Sequence, residues 1–175
     1  MTFTPNTARL ARSTSLNYHP AKRGRAACAA AVGGMFMLLG SLAHAISSEQ
    51  AAALASFQGL LDGLGKRDKS AMMAQVLPGA SGTFVRDGKP KQMTIEALAD
   101  NIAKPGSDTY EERIRDPLVR VDGDIAVIWA PFQFLLNGKI DHCGTDIATL
   151  VLAEGRWLIT SIEDNHRQEC GTKKF

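Results

Sequence analysis

The period of the apolar residues changes once along this chain, and that change constrains its fold more than any other feature. Up to about residue 105 apolar side chains recur at helical spacing; from Tyr110 onward they alternate with a period of two. Three turn signals punctuate the alternating part: Asp122-Gly123, Asn137-Gly138 and Glu154-Gly155. Pairs such as Asn-Gly and Asp-Gly supply the positive φ angles of a two-residue hairpin. Four long strands are therefore expected, at about 110–121, 124–136, 139–153 and 156–166. Strands of that length must bend or coil.

Three helices are expected before them. Ser48 is a candidate N-cap with Glu49 in the first turn, and Leu54, Phe57, Leu61 and Leu64 form one apolar stripe. Asp68 caps a shorter helix carrying Met72, Met73, Val76 and Leu77, ended by Pro78-Gly79. A small hairpin turning at Asp87-Gly88 follows, and Thr94 caps a third helix with Ile95, Leu98 and Ile102. Helices followed by an antiparallel meander make an α+β domain, a curved antiparallel sheet of about four long strands packed on three helices.

Residues 1–45 do not belong to that domain. They hold Arg9, Arg12, Lys22, Arg23 and Arg25 and no acid, then an apolar run from Ala26 to Leu42, then Ala43-His44-Ala45. A basic stretch, an apolar core and a small-x-small triplet are the parts of a secretory signal peptide, with cleavage before Ile46. The run is shorter than the 20 or so residues of a membrane span and is diluted by Gly33, Gly34 and Gly40. The membrane is thus met only during export, and the location is periplasmic or secreted. With the leader gone, 15 basic residues face 18 acidic ones, a net charge of −3. No basic stripe is left for nucleic acid. Residues 46–175 form a single domain.

Export also bears on the cysteines. Cys28 leaves with the leader, so Cys143 and Cys170 form an even pair in an oxidising compartment, and a disulfide between them is expected. Strand arithmetic pulls the other way. A two-residue turn at Glu154-Gly155 sets Cys143 opposite His166, with Cys170 about 13 Å further along an extended strand. Bridge and register coexist only if the last strand ends near Asn165 and the chain turns back over the sheet.

The same arithmetic sorts the strand residues onto two faces. It sets Leu118 opposite Val127, Asp116 opposite Trp129, Trp129 opposite Asp146, Gln133 opposite His142, and Asp146 opposite Glu163. One face then carries Ile114, Leu118, Ile125, Val127, Trp129, Leu150, Trp157 and Ile159 together with Asp116, Gln133, His142 and Asp146. It is assigned to the helices. The other, with Ala126, Ile128, Ala130, Phe132 and Phe134, is still apolar and would be buried by a sheet-to-sheet homodimer.

The stretches Val-Asp-Gly-Asp-Ile-Ala-Val-Ile-Trp-Ala-Pro-Phe-Gln-Phe (121–134), His-Cys-Gly-Thr-Asp (142–146) and Gly-Arg-Trp-Leu-Ile-Thr-Ser-Ile-Glu-Asp (155–164) resemble the nuclear-transport-factor-2-like superfamily. Within it the chain is similar to secreted bacterial proteins called lumazine-binding, over about residues 48–170. The resemblance implies a cone of curved sheet wrapped on three helices, with a pocket at the open end, and dimers are common in the superfamily. Ketosteroid isomerases, scytalone dehydratases and polyketide cyclases share the fold, so it does not choose an activity.

Trp129, Gln133, His142, Asp146 and Asp116 are the candidate pocket residues for a small-molecule ligand. A carboxyl beside a tryptophan in an apolar cone has its pKa raised by desolvation, which suits acid–base work. Asp116, Asp146 and His142 are therefore the catalytic candidates, against the plainer alternative that they only finish the cone. Glu163 reads as solvated and 164–166 as exposed tail. No phosphate loop, nucleophile elbow or dinucleotide fingerprint occurs, and no His, Cys or carboxylate spacing fits a metal, so no cofactor is expected. Two functions stay open: a binding protein for a small ligand, and a cofactor-independent isomerase, dehydratase or cyclase.

Overall fold

A computed structural model describes residues 46–171. The expected signal segment lies outside the described residues. Helix α1 (Ser48–Lys66) starts one residue earlier than expected, because Ser47 rather than Ser48 is the cap. The Ser47 hydroxyl accepts from the Gln50 amide and the Gln50 side chain accepts from the Ser47 amide, a reciprocal pair that satisfies two otherwise unpaired donors. Its buried face carries Ala53, Phe57, Leu60, Leu61 and Leu64. Helix α2 (Lys69–Met73) is capped by Asp68, as expected, but ends before Val76. Residues 76 and 77 already belong to strand β1 (Val76–Arg86). Asp87-Gly88 turns it into β2 (Lys89–Thr94), and Thr94 caps α3 (Ile95–Ile102).

The alternating part holds five strands rather than four. The first expected strand is broken into β3 (Tyr110–Ile114) and β4 (Leu118–Asp122), followed by β5 (Ile125–Leu136), β6 (Lys139–Ala153) and β7 (Arg156–Asn165). The break falls at Arg115-Asp116-Pro117. Asp116 takes a φ of 47° there, and a proline cannot donate to a ladder. Both β3 and β4 pair with β5, which gives the sheet order β2-β1-β7-β6-β5-β3. The sheet is mixed, not purely antiparallel, because β1 runs parallel to β7. The domain is α+β, helices on one face of a curved open sheet.

Two bulges decide which residues face the helices. Across Asn137-Gly138 the expected register holds for two pairs, Leu136 with Lys139 and Leu135 with Ile140. Asp141 is then an extra residue, and beyond it Phe134 pairs with His142 and Trp129 with Ile147. One inserted residue exchanges the faces of all that follows. Trp129 and Asp146 therefore point to opposite sides of the sheet, contrary to expectation. A second bulge at Thr160 moves Asp146 from Glu163 to Asp164. The Thr160 hydroxyl donates to the Thr149 carbonyl (3.1 Å), closing the gap that the bulge opens in the ladder. Across the 122–125 turn the shift is by two residues, since the loop closes on Gly123-Asp124, and Leu118 lies opposite Trp129.

The helix-facing side of β5 is consequently Ala126, Ile128, Ala130, Phe132 and Phe134, the set expected to lie outside. Three of the inward residues nearest the helices are alanines, Ala126, Ala130 and Ala148, each at most 3% exposed. Their small side chains let Phe57, Leu60, Ile128 and Leu150 fill one core. The bulkier Leu118, Ile125, Val127 and Trp129 stand on the outer face, 43–55% exposed.

Candidate functional site

Six strands and two helices contribute to a cavity of about 340 Å³ on the helix side of the sheet. Leu64 of α1, Leu98 and Ile102 of α3, Phe84 of β1, Met93 of β2 and Phe134 of β5 make its apolar walls. Arg86, Lys91, Glu112, His142 and Asp164 supply its polar groups. Arg67 prepares one side of it. As the left-handed C-cap of α1 it donates to the carbonyls of Ile102 (3.0 Å) and Asp108 (3.1 Å), and its guanidinium lies over the Tyr110 ring at 4.9 Å. That ties the 103–109 connection to α1 and starts β3 in the register that turns Glu112 inward.

The polar end is a cluster of three carboxyl groups around one arginine. Arg86 binds Asp164 through both terminal nitrogens, Nη1 to Oδ1 and Nη2 to Oδ2, the second at 2.8 Å. A fork-to-carboxylate pair of this kind is the strongest geometry open to the two groups, and it raises the Arg86 pKa. Asp146 lies directly across the ladder from Asp164 and is 3% exposed. Among the described residues no donor reaches its Oδ2. Its other close neighbour is Glu112, within hydrogen-bond reach from β3. Two carboxylates cannot bond without a proton between them, so this pair shares one. Burial is the first cause pushing the Glu112 pKa up to about 7, and burial followed by the charge of Glu112 holds Asp146 well above the usual aspartate range.

The histidines form a stack beside the cluster. His142 lies between Phe134 (centroids 4.9 Å) and His166 (4.2 Å), edge-on to Phe132, with Nδ1 2.8 Å from Asp141. Burial lowers its pKa more than Asp141 raises it. His166 is held over it by residues after β7, which pair Arg167 with Cys143 in both directions (2.8 and 3.0 Å). The chain then turns, and Cys170 bonds Cys143 with a Cα separation of 5.5 Å. The strand ends at Asn165 and the chain turns back as the bridge requires, but the bulge at Thr160 sets Cys143 opposite Arg167 rather than His166.

Two of the five sequence-chosen pocket residues, Asp146 and His142, are at this site. Trp129 is on the outer face and 49% exposed. Gln133 is buried on that same outer side beside Cys143, away from the cavity. The Asp116 side chain is 91% exposed and pairs with Arg115 at 3.7 Å. The bulge at Asp141 accounts for the first two and the break at Pro117 for the third. The residues missed are Glu112, Arg86 and Asp164, the last taken for exposed tail although its side chain is only 11% exposed. Glu112 had a signal: Tyr110-x-Glu112-x-Ile114 sets a lone acid between two inward apolar residues at strand spacing.

The shared proton has a measurable consequence. Glu112 and Asp146 have folded pKa values above their unfolded ones, so between about pH 4.5 and about pH 7 the folded state holds protons that the unfolded chain has released. Stability from this pair is present at the acid end and falls as pH rises through that window. His142, its pKa lowered, slopes the other way below its ordinary value. Urea melts at several pH values on wild type and Glu112→Gln separate the two. The variant keeps a donor for Asp146 and loses most of the fall between pH 5 and pH 8; an unchanged fall would remove Glu112 from this account.

Residues 48–162 match the sequence profile of the family described as "Putative lumazine-binding". Among proteins with curated descriptions none matches the sequence. A nuclear-transport-factor-2-like protein of unknown function from Shewanella baltica is 19% identical with a TM-score of 0.55, covering 70% of this chain and 98% of its own. One from Silicibacter pomeroyi is 20% identical with a TM-score of 0.55, covering 70% of this chain and all of its own. A protein from Novosphingobium aromaticivorans called "Putative Scytalone Dehydratase" is 10% identical with a TM-score of 0.57, covering 69% and 85%. At these identities the likeness is one of fold, that of the nuclear-transport-factor-2-like superfamily.

Proposed function

The chain belongs to that lumazine-binding family, and from this premise we propose that it is an exported protein holding a small molecule in the cavity between sheet and helices. The observation that carries this is the cavity itself: apolar walls closing on one cluster of convergent polar groups, the usual composition of a small-molecule site. The basic, acid-free leader and Ala43-His44-Ala45 support export, and the Cys143–Cys170 bridge suits an oxidising compartment. Among the described residues no helix is long and apolar enough to cross a membrane. Native mass spectrometry of protein taken from its own periplasm is the test. The expected species is a chain beginning at Ile46 with a compound of defined mass attached. A chain that retains Arg9 to Leu42 overturns export, and a persistently empty cavity overturns the binding role.

A second reading is favoured by one specific observation. Glu112 lines the cavity with a pKa of about 7 beside the still more deeply buried Asp146, which is the poise of a general acid or base near neutral pH. Glu112 and Asp146, with His142 nearby, would then move a proton in an isomerisation, dehydration or cyclisation, and no cofactor is invoked. Structural relatives called dehydratases point in the same direction. Incubating the co-purified compound with wild type and Glu112→Gln separates the readings: turnover lost in the variant with binding kept indicates an enzyme, and an unchanged compound in both indicates a binder.

The outer face supports a homodimer. Leu118, Ile125, Val127 and Trp129 are exposed there beside the half-buried Ile147 and Val151, a contiguous apolar patch of the kind that marks an interface. It is the opposite face of β5 from the one the sequence suggested. Light scattering on the double variant Val127→Asp, Trp129→Asp is expected to give half the mass of wild type with an unchanged circular dichroism spectrum. A wild type that is already monomeric removes the dimer.

A further inference from the structure

The charge balance of the cavity points to the chemistry of its occupant, an inference that rests on the small-molecule reading above. We infer that the cavity takes a compact apolar or aromatic body bearing a single cationic nitrogen, with that nitrogen set against Glu112. Three carboxyl groups meet one guanidinium here. Arg86 spends both terminal nitrogens on Asp164, and Nη1 donates again to the Val85 carbonyl at 3.1 Å. That leaves Asp164 neutralised and the other two carboxyls without a cation of their own. Asp146 is 97% removed from solvent, faces Glu112 and Asp164, and has an Oδ2 that no donor satisfies. A buried charge left uncompensated is costly, so such a pair holds a proton, and the one negative charge it still carries is completed by a counter-charge.

The other titratable groups do not provide it. Lys91 lines the cavity but is exposed and solvated. His142 is pushed toward its neutral form by burial, and its ring is stacked between Phe134 and His166. Glu112 and Asp146 sharing one proton still carry one negative charge, which one monocation balances. With their proton lying between them, the Glu112 oxygen turned to the cavity is an acceptor. It calls for an N–H or ammonium donor rather than for a carbonyl. The apolar walls and a volume of about 340 Å³, near the lower end for small-molecule sites, suit a body of one or two rings.

Titration calorimetry with three probes of one shape tests this: 2-phenylethylamine, 2-phenylethanol and 3-phenylpropanoate, at pH 7.5. The amine is expected to bind at least tenfold tighter than the alcohol, and the propanoate more weakly than either. Amine binding is expected to leave the shared proton in place, so its heat does not vary with the ionisation enthalpy of the buffer. Glu112→Gln brings the amine down to the affinity of the alcohol. Asp146→Asn serves as the second variant, each checked for a native circular dichroism spectrum. Alcohol or propanoate binding as tightly as the amine overturns the inference and leaves the small-molecule reading standing. Amine affinity indifferent to both variants overturns the assignment to Glu112. Binding by none of the three overturns the inference and counts against the cavity reading as well.

Discussion

Replacing Cys143 and Cys170 together by alanine lowers the stability of this protein by about 3–4 kcal/mol, the expected effect of opening a loop with a sequence separation of 27. For a domain of this size that is a fall in melting temperature of about 10–15 °C. Alanine is the right replacement because Cys143 is 4% exposed, and a serine hydroxyl there would add the cost of an unpaired buried polar group. The loss reaches the cavity as well. The bridge holds the segment that pairs Arg167 with Cys143 and sets His166 on His142. Without it, these contacts carry only their own local stability, and the His142 side of the cavity loosens first. Urea melts of the double variant, and of wild type with and without a thiol reductant, are the measurement. Wild type in reductant should match the variant. A difference below about 1 kcal/mol would mean that pairing after β7 holds the tail unaided.

The fold was legible where local chemistry decides and illegible where a single inserted residue does. Helix starts follow from short-range hydrogen bonds, and Asp68 and Thr94 cap where their sequence context says they should. Asn137-Gly138 and Glu154-Gly155 adopt the positive φ angles their turns require, so pairing near each turn follows from counting. Counting fails at Asp141 and Thr160. Thr160 is ordinary for a strand and Asp141 is a residue strands disfavour, but neither marks a bulge by itself, since a bulge is set by how the whole sheet must curl over the helices. The parallel pairing of β1 with β7 is hidden for the same reason. It joins segments about 80 residues apart, so no short-range signal marks it.

The site was legible by half. His142 and Asp146 stand on β6, and β6 keeps its expected facing because the bulge at Asp141 exchanges the faces of β5 against it. Trp129 and Gln133, on β5, go to the other side. The assignment of the Trp129 face of β5 to the helices fails for a packing reason. Packing helices against a sheet favours a close approach, which Ala126, Ala130 and Ala148 permit and Trp129 would prevent. Glu112 was overlooked although its spacing from Tyr110 and Ile114 gives its direction. Arg86 and Asp164 become partners only through the parallel β1–β7 contact.

Gly144→Ala is expected to cost about 3 kcal/mol or more, for a reason that is steric and local to the cluster. Gly144 sits on β6 between His142 and Asp146, opposite Phe132. A β-carbon there would collide with the Asn165 carbonyl oxygen and lie within 2.7 Å of the Phe132 ring. Neither neighbour can yield. Phe132 is fully buried, and Asn165 is fixed by its side chain accepting from the Thr145 amide at 3.0 Å and by the Arg167–Cys143 bonds just beyond. Overpacking a rigid site usually costs 1–3 kcal/mol, and here relief requires pushing the end of β7 off β6, which also parts His166 from His142. Gly59→Ala is the contrast. Its new β-carbon meets only the flexible Gln75 side chain at 3.0–3.3 Å, inside α1, where alanine is worth up to about 1 kcal/mol over glycine. Chemical denaturation should therefore find Gly59→Ala neutral or stabilised and Gly144→Ala strongly destabilised. Equal, small effects from the two would mean that β7 already yields beside the cluster, and the carboxyl groups there would then not be held apart from water.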